Sequence, residues 1–390
     1  MALVEQALEI LRSVPLIDGH NDWPHLIRGF YDNKLDERFQ SGKDLVGHVD
    51  MKRLKEGRSG GAFWSVYIDC PDSDGFTDVV HFEVLRDTMQ QIDLVHRLSE
   101  RYSNQMELVQ HSSDIMRLFK AGKFASLIGV EGLHQIANSA SVLRLYHKMG
   151  VRYITLAHNK NNLYADSATS SSPAHNGLSL QGVQMIREMN RIGMIIDLSH
   201  TSEAVMHRVL DISEAPVIFS HSSIASIVPH VRNVPDVILK KLKANDGVIM
   251  ITLIPSLIHE DAAKANVGHV VDHIMYAGNL IGYEHIGLGS DYDGMFSAVQ
   301  GVDDVSKWPN LVAKMLERGI SRSNVEKVLG LNIIRVLEST ELCASKLKST
   351  SSVMEDSVKQ LWNDRFRATV EGVYPHAGKS RRDVITERSD

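Results

Sequence analysis

The feature that most constrains this chain is a slow alternation of short apolar runs with longer stretches of helical period. Eight such runs can be counted, at residues 15–18, 62–68, 124–130, 153–157, 194–198, 217–220, 248–252 and 286–289. Between them the apolar residues recur at helical spacing, over 82–98, 140–149, 180–192, 202–210, 236–244 and 267–281. Eight strands alternating with helices in 390 residues predict an α/β fold, a closed (β/α)8 TIM-like barrel, ahead of an open doubly wound sheet. No composition break, Gly/Ser linker or solenoid-period repeat divides residues 1–340, so one catalytic barrel domain is expected there. Residues 32–58 read as a polar excursion carrying one helix, and residues 166–172 as an exposed Ser-rich loop. Residues 341–390 are expected to be a C-terminal extension packed on the barrel, helical over 358–367 and mobile over 380–390.

Composition narrows the function. With 43% hydrophobic and 23% charged residues the chain can bury a large core, and is unlike a disordered one. A net charge of −6 offers no attraction to nucleic acid or to an anionic membrane, so the expected partner is a small molecule. Cys70 and Cys343 are the only cysteines, too few for a disulfide framework or a Cys-rich zinc site. Residues 1–14 read as a charged amphipathic helix. Glu5 and Glu9 interrupt the apolar run that a signal peptide needs. No stretch approaches eighteen consecutive apolar residues, so no membrane span is expected, and a reducing cytoplasm fits best.

In a barrel of this kind chemistry sits at the C-terminal ends of the strands. The first run leads into Asp18-Gly19-His20-Asn21-Asp22, the third into Glu131, and the fourth, fifth and sixth into His158, His200 and His221; the eighth leads into Asp291-Tyr292-Asp293. His20 and Asp22 are two residues apart, which in extended chain puts both side chains on one face, as two ligands to one metal require. A lone histidine at a strand end is more often structural than a ligand, but a whole set at equivalent ends is unlike chance. Two carboxylates and three imidazoles suit zinc, and five ligands exceed what one open tetrahedral zinc uses. Two metals sharing a carboxylate resolve the mismatch. Glu131 is the natural bridge, with His20 and Asp22 on one metal and His200 and His221 on the other. A water between two such ions would be hydroxide near neutral pH, a nucleophile for a carbonyl carbon.

Six segments carry a resemblance: Asp18-Gly19-His20-Asn21-Asp22-Trp23-Pro24, Gly129-Val130-Glu131-Gly132, Thr155-Leu156-Ala157-His158, Asp197-Leu198-Ser199-His200, Phe219-Ser220-His221-Ser222 and Gly289-Ser290-Asp291-Tyr292-Asp293-Gly294. In order along residues 15–338, they resemble the renal (membrane) dipeptidase family of dizinc metallopeptidases. The resemblance implies a metal-dependent amidohydrolase barrel with two Zn2+ per chain, bridged by Glu131 and a water or hydroxide. It implies hydrolysis of dipeptides with a free C-terminal carboxylate. It also implies that His158 polarises the scissile carbonyl, that Arg232 holds the substrate carboxylate and that Asp291 is the acid/base. Each role is chemically sensible: a guanidinium fork suits a carboxylate, an imidazole can donate to an oxyanion, and a carboxylate can relay a proton. Asp293 is better read as a loop-capping carboxylate.

Two departures stand out. Some secreted relatives pair a cysteine equivalent to Cys70 with one just after the substrate histidine, where this chain has Lys160. An aromatic residue common after the seventh strand is replaced here within Leu253-Ile254-Pro255, which alters the side-chain pocket. The segment Gly57-Arg58-Ser59-Gly60-Gly61 satisfies G-x-S-x-G, yet it follows a charged helix and precedes a strand, the reverse of a nucleophile elbow. His25, His134, His175 and His230 receive no role. The competing readings are a dizinc amidohydrolase acting on another acylated amino acid or a cyclic amide, and a catalytically silent binding barrel. A homodimer is expected only by analogy with related barrels.

Overall fold

The computed structural model describes residues 2–40, 42–71, 76–77 and 81–375. Among the described residues there are nine parallel strands: β1 Leu16–Asn21, β2 Ser59–Val66, β3 Met106–Leu108, β4 Phe124–Val130, β5 Val151–Thr155, β6 Ile195–Asp197, β7 Ile218–Ser222, β8 Val248–Ile251 and β9 Ile286–Leu288. Eight close a ring in the order β1-β2-β4-β5-β6-β7-β8-β9, with β1 pairing β9 at Asp18 and Leu288. All eight expected strands are present, in a TIM-like barrel with helices between strands. The ninth, β3, was not expected. Its three residues are too few to show alternation, and it takes the first half of one β4 edge while β5 takes the second.

Strand boundaries differ where it matters for the site. β1 extends to Asn21 and β7 to Ser222, so His20 and His221 lie inside strands rather than beyond them. Ile17, Phe63, Leu127, Tyr153, Ile195, Ile218 and Met250, from seven strands, form one cluster, an arrangement that only the lumen of a closed barrel permits. The larger core lies between the strands and the helices outside them. The helices form where the apolar period runs and stop where backbone chemistry ends them. The helix Leu180–Ile192, for example, starts on the Ser179 side chain, which accepts from the Gly182 amide, and ends at Gly193 with φ 82°.

Residues 32–58 carry the expected helix, Met51–Glu56. The loop over 166–172 departs from expectation in its first residues. Asp166 and Ser167 are buried, and the Asp166 carboxylate accepts the amides of Ala174, His175 and Gly177, so only the later part is exposed. The chain divides into two compact units, Met1–Met354 and Glu355–Asp390. The helix Asn332–Leu347 continues past residue 340 and belongs to the first unit. In the second, the helix is Asp364–Val373, later than the expected 358–367, because Asn363 supplies the cap by accepting from the Phe366 amide. Residues 380–390 lie outside the described residues.

Candidate metal centre and substrate cleft

Seven of the eight residues picked out for the site converge at the C-terminal end of the barrel. Glu131, one residue past β4, stands at the centre. Its Oε2 is 3.6 Å from Nε2 of His20, and its Oε1 is 3.1 Å from Nε2 of His200 and 3.5 Å from Nε2 of His221. His20 Nε2 is also 3.2 Å from Asp22 Oδ2 and 3.6 Å from Asp291 Oδ1. His158 Nε2 approaches Glu131 Oε1 to 3.8 Å. The eighth, Arg232, is buried, lines the same cleft, and donates from an Nη to the His221 carbonyl at 3.3 Å.

Outer contacts fix the rings. The Tyr153 hydroxyl lies 2.8 Å from Nδ1 of His20, which leaves Nε2 facing the carboxylates. Tyr153 fits because residue 129 is glycine: a Cβ there would fall 2.1 Å from Cζ of Tyr153. The Ser220 hydroxyl lies 2.8 Å from Nδ1 of His221 and donates to Asp197 Oδ2 at 2.7 Å, while Thr155 donates to the same oxygen at 2.6 Å. Asp18 ties the barrel seam, accepting the Ser290 amide and hydroxyl across from β1. His200 and Asp291 hold left-handed backbone, φ 65° and 66°, where a non-glycine residue is strained.

The donor set fits a divalent metal. Nε2 of His20 and Oδ1 of Asp22 are buried without a hydrogen-bond partner. Burial holds the His200 and His221 imidazoles well below their ordinary range, so both rings are neutral with a lone pair to give. Burial would lower His20 too, but Tyr153 and the carboxylates of Glu131 and Asp22 raise it well above normal. Burial, then Asp22, pushes the Asp291 carboxyl well up. Without a cation, protons must serve as the positive charge this cluster demands. Three overlapping groups, His20–Asp22–Glu131, Glu131–His158–His200 and His20–His221–Asp291, each bring their ligand atoms within 4.8 Å of one another.

Residues 4–351 match the sequence profile of the membrane dipeptidases, peptidase family M19. The chain belongs to that family. It is 56% identical over 400 residues to dipeptidase tcpJ of Claviceps purpurea, covering 97% of this chain and 94% of the relative. It is 50% identical to dipeptidase verJ of Clonostachys rogersoniana, over 95% of this chain and 97% of that protein. Among solved structures, the probable dipeptidase PvdM from Pseudomonas aeruginosa superposes with a TM-score of 0.79 at 23% identity, covering 88% of this chain and 99% of that one. A metallopeptidase from Rhodobacter sphaeroides, liganded with a phosphinate mimic of the dipeptide L-Ala-D-Ala, gives 0.74 at 24% identity, covering 84% and 99%. These two likenesses concern the fold. No helix among the described residues is long and apolar enough to cross a membrane.

The cleft beside the carboxylates has a volume of about 850 Å3. Asp293 lines it and acts as the loop anchor expected of it, its Oδ1 accepting the His48 amide. Of the histidines left without a role, His25 also lines the cleft, its ring edge-on to Tyr67 at 5.1 Å. His134 and His175 bond the carbonyls of Ile68 and Asn162, and His230 accepts the Arg232 amide. Sequence reasoning passed over Tyr67, Tyr153, Ser220 and Asp197. The last two sit inside quoted motifs and could have been found as polar residues on β6 and β7; the two tyrosines carry no such mark.

Proposed function

We propose that this chain is a zinc-dependent dipeptidase holding two Zn2+ ions, His20 and Asp22 on one, His200 and His221 on the other, with Glu131 shared. The observation that carries this reading is the split of one carboxylate: Oε2 of Glu131 faces His20, and Oε1 faces His200 and His221. A single-metal site has no use for a carboxylate whose two oxygens address separate histidine groups. When bound, the ions supply Lewis acidity and an acidified water.

The chain's own residues do the rest. Arg232 holds the C-terminal carboxylate of the substrate; burial lowers its pKa from the ordinary value but leaves a cation, and its Nε has no hydrogen-bond partner. His158, which burial shifts toward its neutral form, donates one N–H to the oxygen of the scissile carbonyl as negative charge grows there. Asp291 takes the proton of the attacking water and passes it to the leaving amine. The free thiols of Cys70 and Cys343 support placing the protein in a reducing, cytoplasmic compartment. Elemental analysis of the purified protein, with a dipeptide-library assay before and after chelation, tests the proposal. About two zinc equivalents and metal-restored hydrolysis are expected; an active enzyme holding no tightly bound metal rules it out.

A further inference from the structure

Asp197, the last residue of β6, is a fully buried carboxylate outside the metal-binding set, and its two oxygens meet different kinds of donor. Its Oδ1 accepts the backbone amides of Ser199 at 3.0 Å and Ser220 at 2.8 Å. Its Oδ2 accepts the hydroxyls of Thr155 at 2.6 Å and Ser220 at 2.7 Å. The same Ser220 oxygen lies 2.8 Å from Nδ1 of His221, while Nε2 of that ring faces Glu131.

These contacts fix where each proton sits. Ser220 has one hydroxyl hydrogen, and three acceptors compete for it: Asp197 Oδ2 at 2.7 Å, His221 Nδ1 at 2.8 Å and Ser199 Oγ at 3.4 Å. The carboxylate is the strongest acceptor of the three and the nearest, so it takes the hydrogen. Ser220 Oγ then turns a lone pair toward His221, and Nδ1 must bring the hydrogen of that bond. Nε2 of His221 is left bare, 3.5 Å from a Glu131 oxygen and 3.0 Å from Nε2 of His200. A bare nitrogen aimed at a carboxylate is repulsive until a cation stands between them. His200 has no such tether, its Nδ1 being buried without a hydrogen-bond partner.

We propose that Asp197 is a positioning residue for the metal centre: through the Ser220 hydroxyl it holds the ring proton of His221 on Nδ1 and so dedicates Nε2 to the second zinc. This role rests on the two-zinc reading above, yet the tautomer it specifies belongs to the metal-free chain and is measurable there. Asp197→Asn is the discriminating change. The two backbone amides still need an acceptor where Oδ1 stood, so the asparagine carbonyl takes that place and its NH2 takes the place of Oδ2. The NH2 donates to Ser220 Oγ, the serine hydrogen turns to Nδ1 of His221, and the ring proton moves to Nε2.

15N NMR of the metal-free chain, with labelled histidines and the His221 signals assigned by their loss in His221→Gln, reads the tautomer. Hydrogen is expected on Nδ1 in the wild type and on Nε2 in Asp197→Asn. Competition with a zinc chelator should find two ions in the wild type and, in Asp197→Asn, one of them held about 10–100-fold more weakly. Thr155→Val removes the other hydroxyl on Oδ2 without touching His221, and should keep the tautomer and both affinities. Ser220→Ala cuts the link itself and should weaken the same ion, which keeps the test open if Asp197→Asn does not fold. Hydrogen on Nε2 in the wild type overturns the proposal, as does wild-type zinc affinity in both Asp197→Asn and Ser220→Ala. A loss in Thr155→Val equal to that in Asp197→Asn overturns it too, by reducing Asp197 to a structural residue. A wild type that binds fewer than two zinc ions overturns the two-zinc reading and this role with it, a failure recognised from the wild-type count alone.

Discussion

His200 and His221 bring their Nε2 atoms within 3.0 Å of each other, and both face the same oxygen of Glu131. Two neutral imidazoles gain little from standing nose to nose, and their lone pairs repel unless a shared proton or cation lies between them. On the proposed two-metal arrangement, replacing Glu131 removes the charge that would draw metal to both halves of the site. Glu131→Gln is expected to retain fewer than one zinc equivalent after dialysis and to lose at least a thousandfold in kcat/KM. Elemental analysis beside circular dichroism checks this, and a variant holding two equivalents would show that Glu131 is not shared.

Asp291→Asn should keep zinc and fold while kcat drops by two orders of magnitude or more, since proton transfer alone is lost. Steady-state kinetics with metal analysis on the same sample decides the matter. Wild-type kcat would remove Asp291 from the role of acid/base.

Arg232 distinguishes a dipeptidase from a general amidase. Truncating a buried guanidinium that pairs with a carboxylate is expected to cost about 2 to 5 kcal/mol of transition-state binding. With C-terminally amidated dipeptides the wild type should already be slow, and Arg232→Ala should change little more. Equal kcat/KM for acid and amide forms in the wild type would favour the amidase reading.

Tyr153→Phe deletes only the hydroxyl that orients His20 at Nδ1. Loss of such an outer partner typically lowers metal affinity about 10–100-fold. Competition with a zinc chelator measures it. Unchanged affinity would mean that packing against Phe63, whose ring centroid is 5.0 Å away, positions the ring unaided.

The barrel, its eight ring strands and the convergence of His20, Glu131, His200 and His221 were legible because buried parallel strands leave continuous apolar runs and their ends leave polar punctuation. The strand Met106–Leu108 was not, having too few residues for a period. Tyr153 was hidden for a different reason. Within an apolar run an aromatic reads as core, and only the space left by Gly129, on the neighbouring strand, shows that its hydroxyl reaches a site residue. Asp166 was misplaced because a Ser-rich neighbourhood signals exposure, while the amides its carboxylate collects come from residues 174–177.

The fold also carries a pH liability away from the metal. The Nδ1 atom of His273 accepts the Ile224 amide at 3.2 Å and its Nε2 faces the Ile258 carbonyl at 3.1 Å, which specifies the neutral ring. Burial brings its pKa down to about 4. Because the folded value lies below the unfolded one, protons favour the unfolded chain. The neutral ring's stabilising contribution is therefore full above about pH 6.5 and is lost as the pH falls toward 4, on the order of 3 kcal/mol. His273→Gln, which cannot take up that proton, should be less stable at pH 7 but show a shallower decline in Tm over this range. Parallel declines would place the proton uptake elsewhere.

The seam at which Asp18 grips Ser290 joins residues 272 positions apart. On a ribosome, His20 and Asp22 emerge early, yet the strand that closes the ring beside them is among the last parts of the barrel to be made. All five proposed ligands have been made once synthesis has passed His221, but the seam that fixes β1, and with it His20 and Asp22, against the rest of the ring can close only after Ser290.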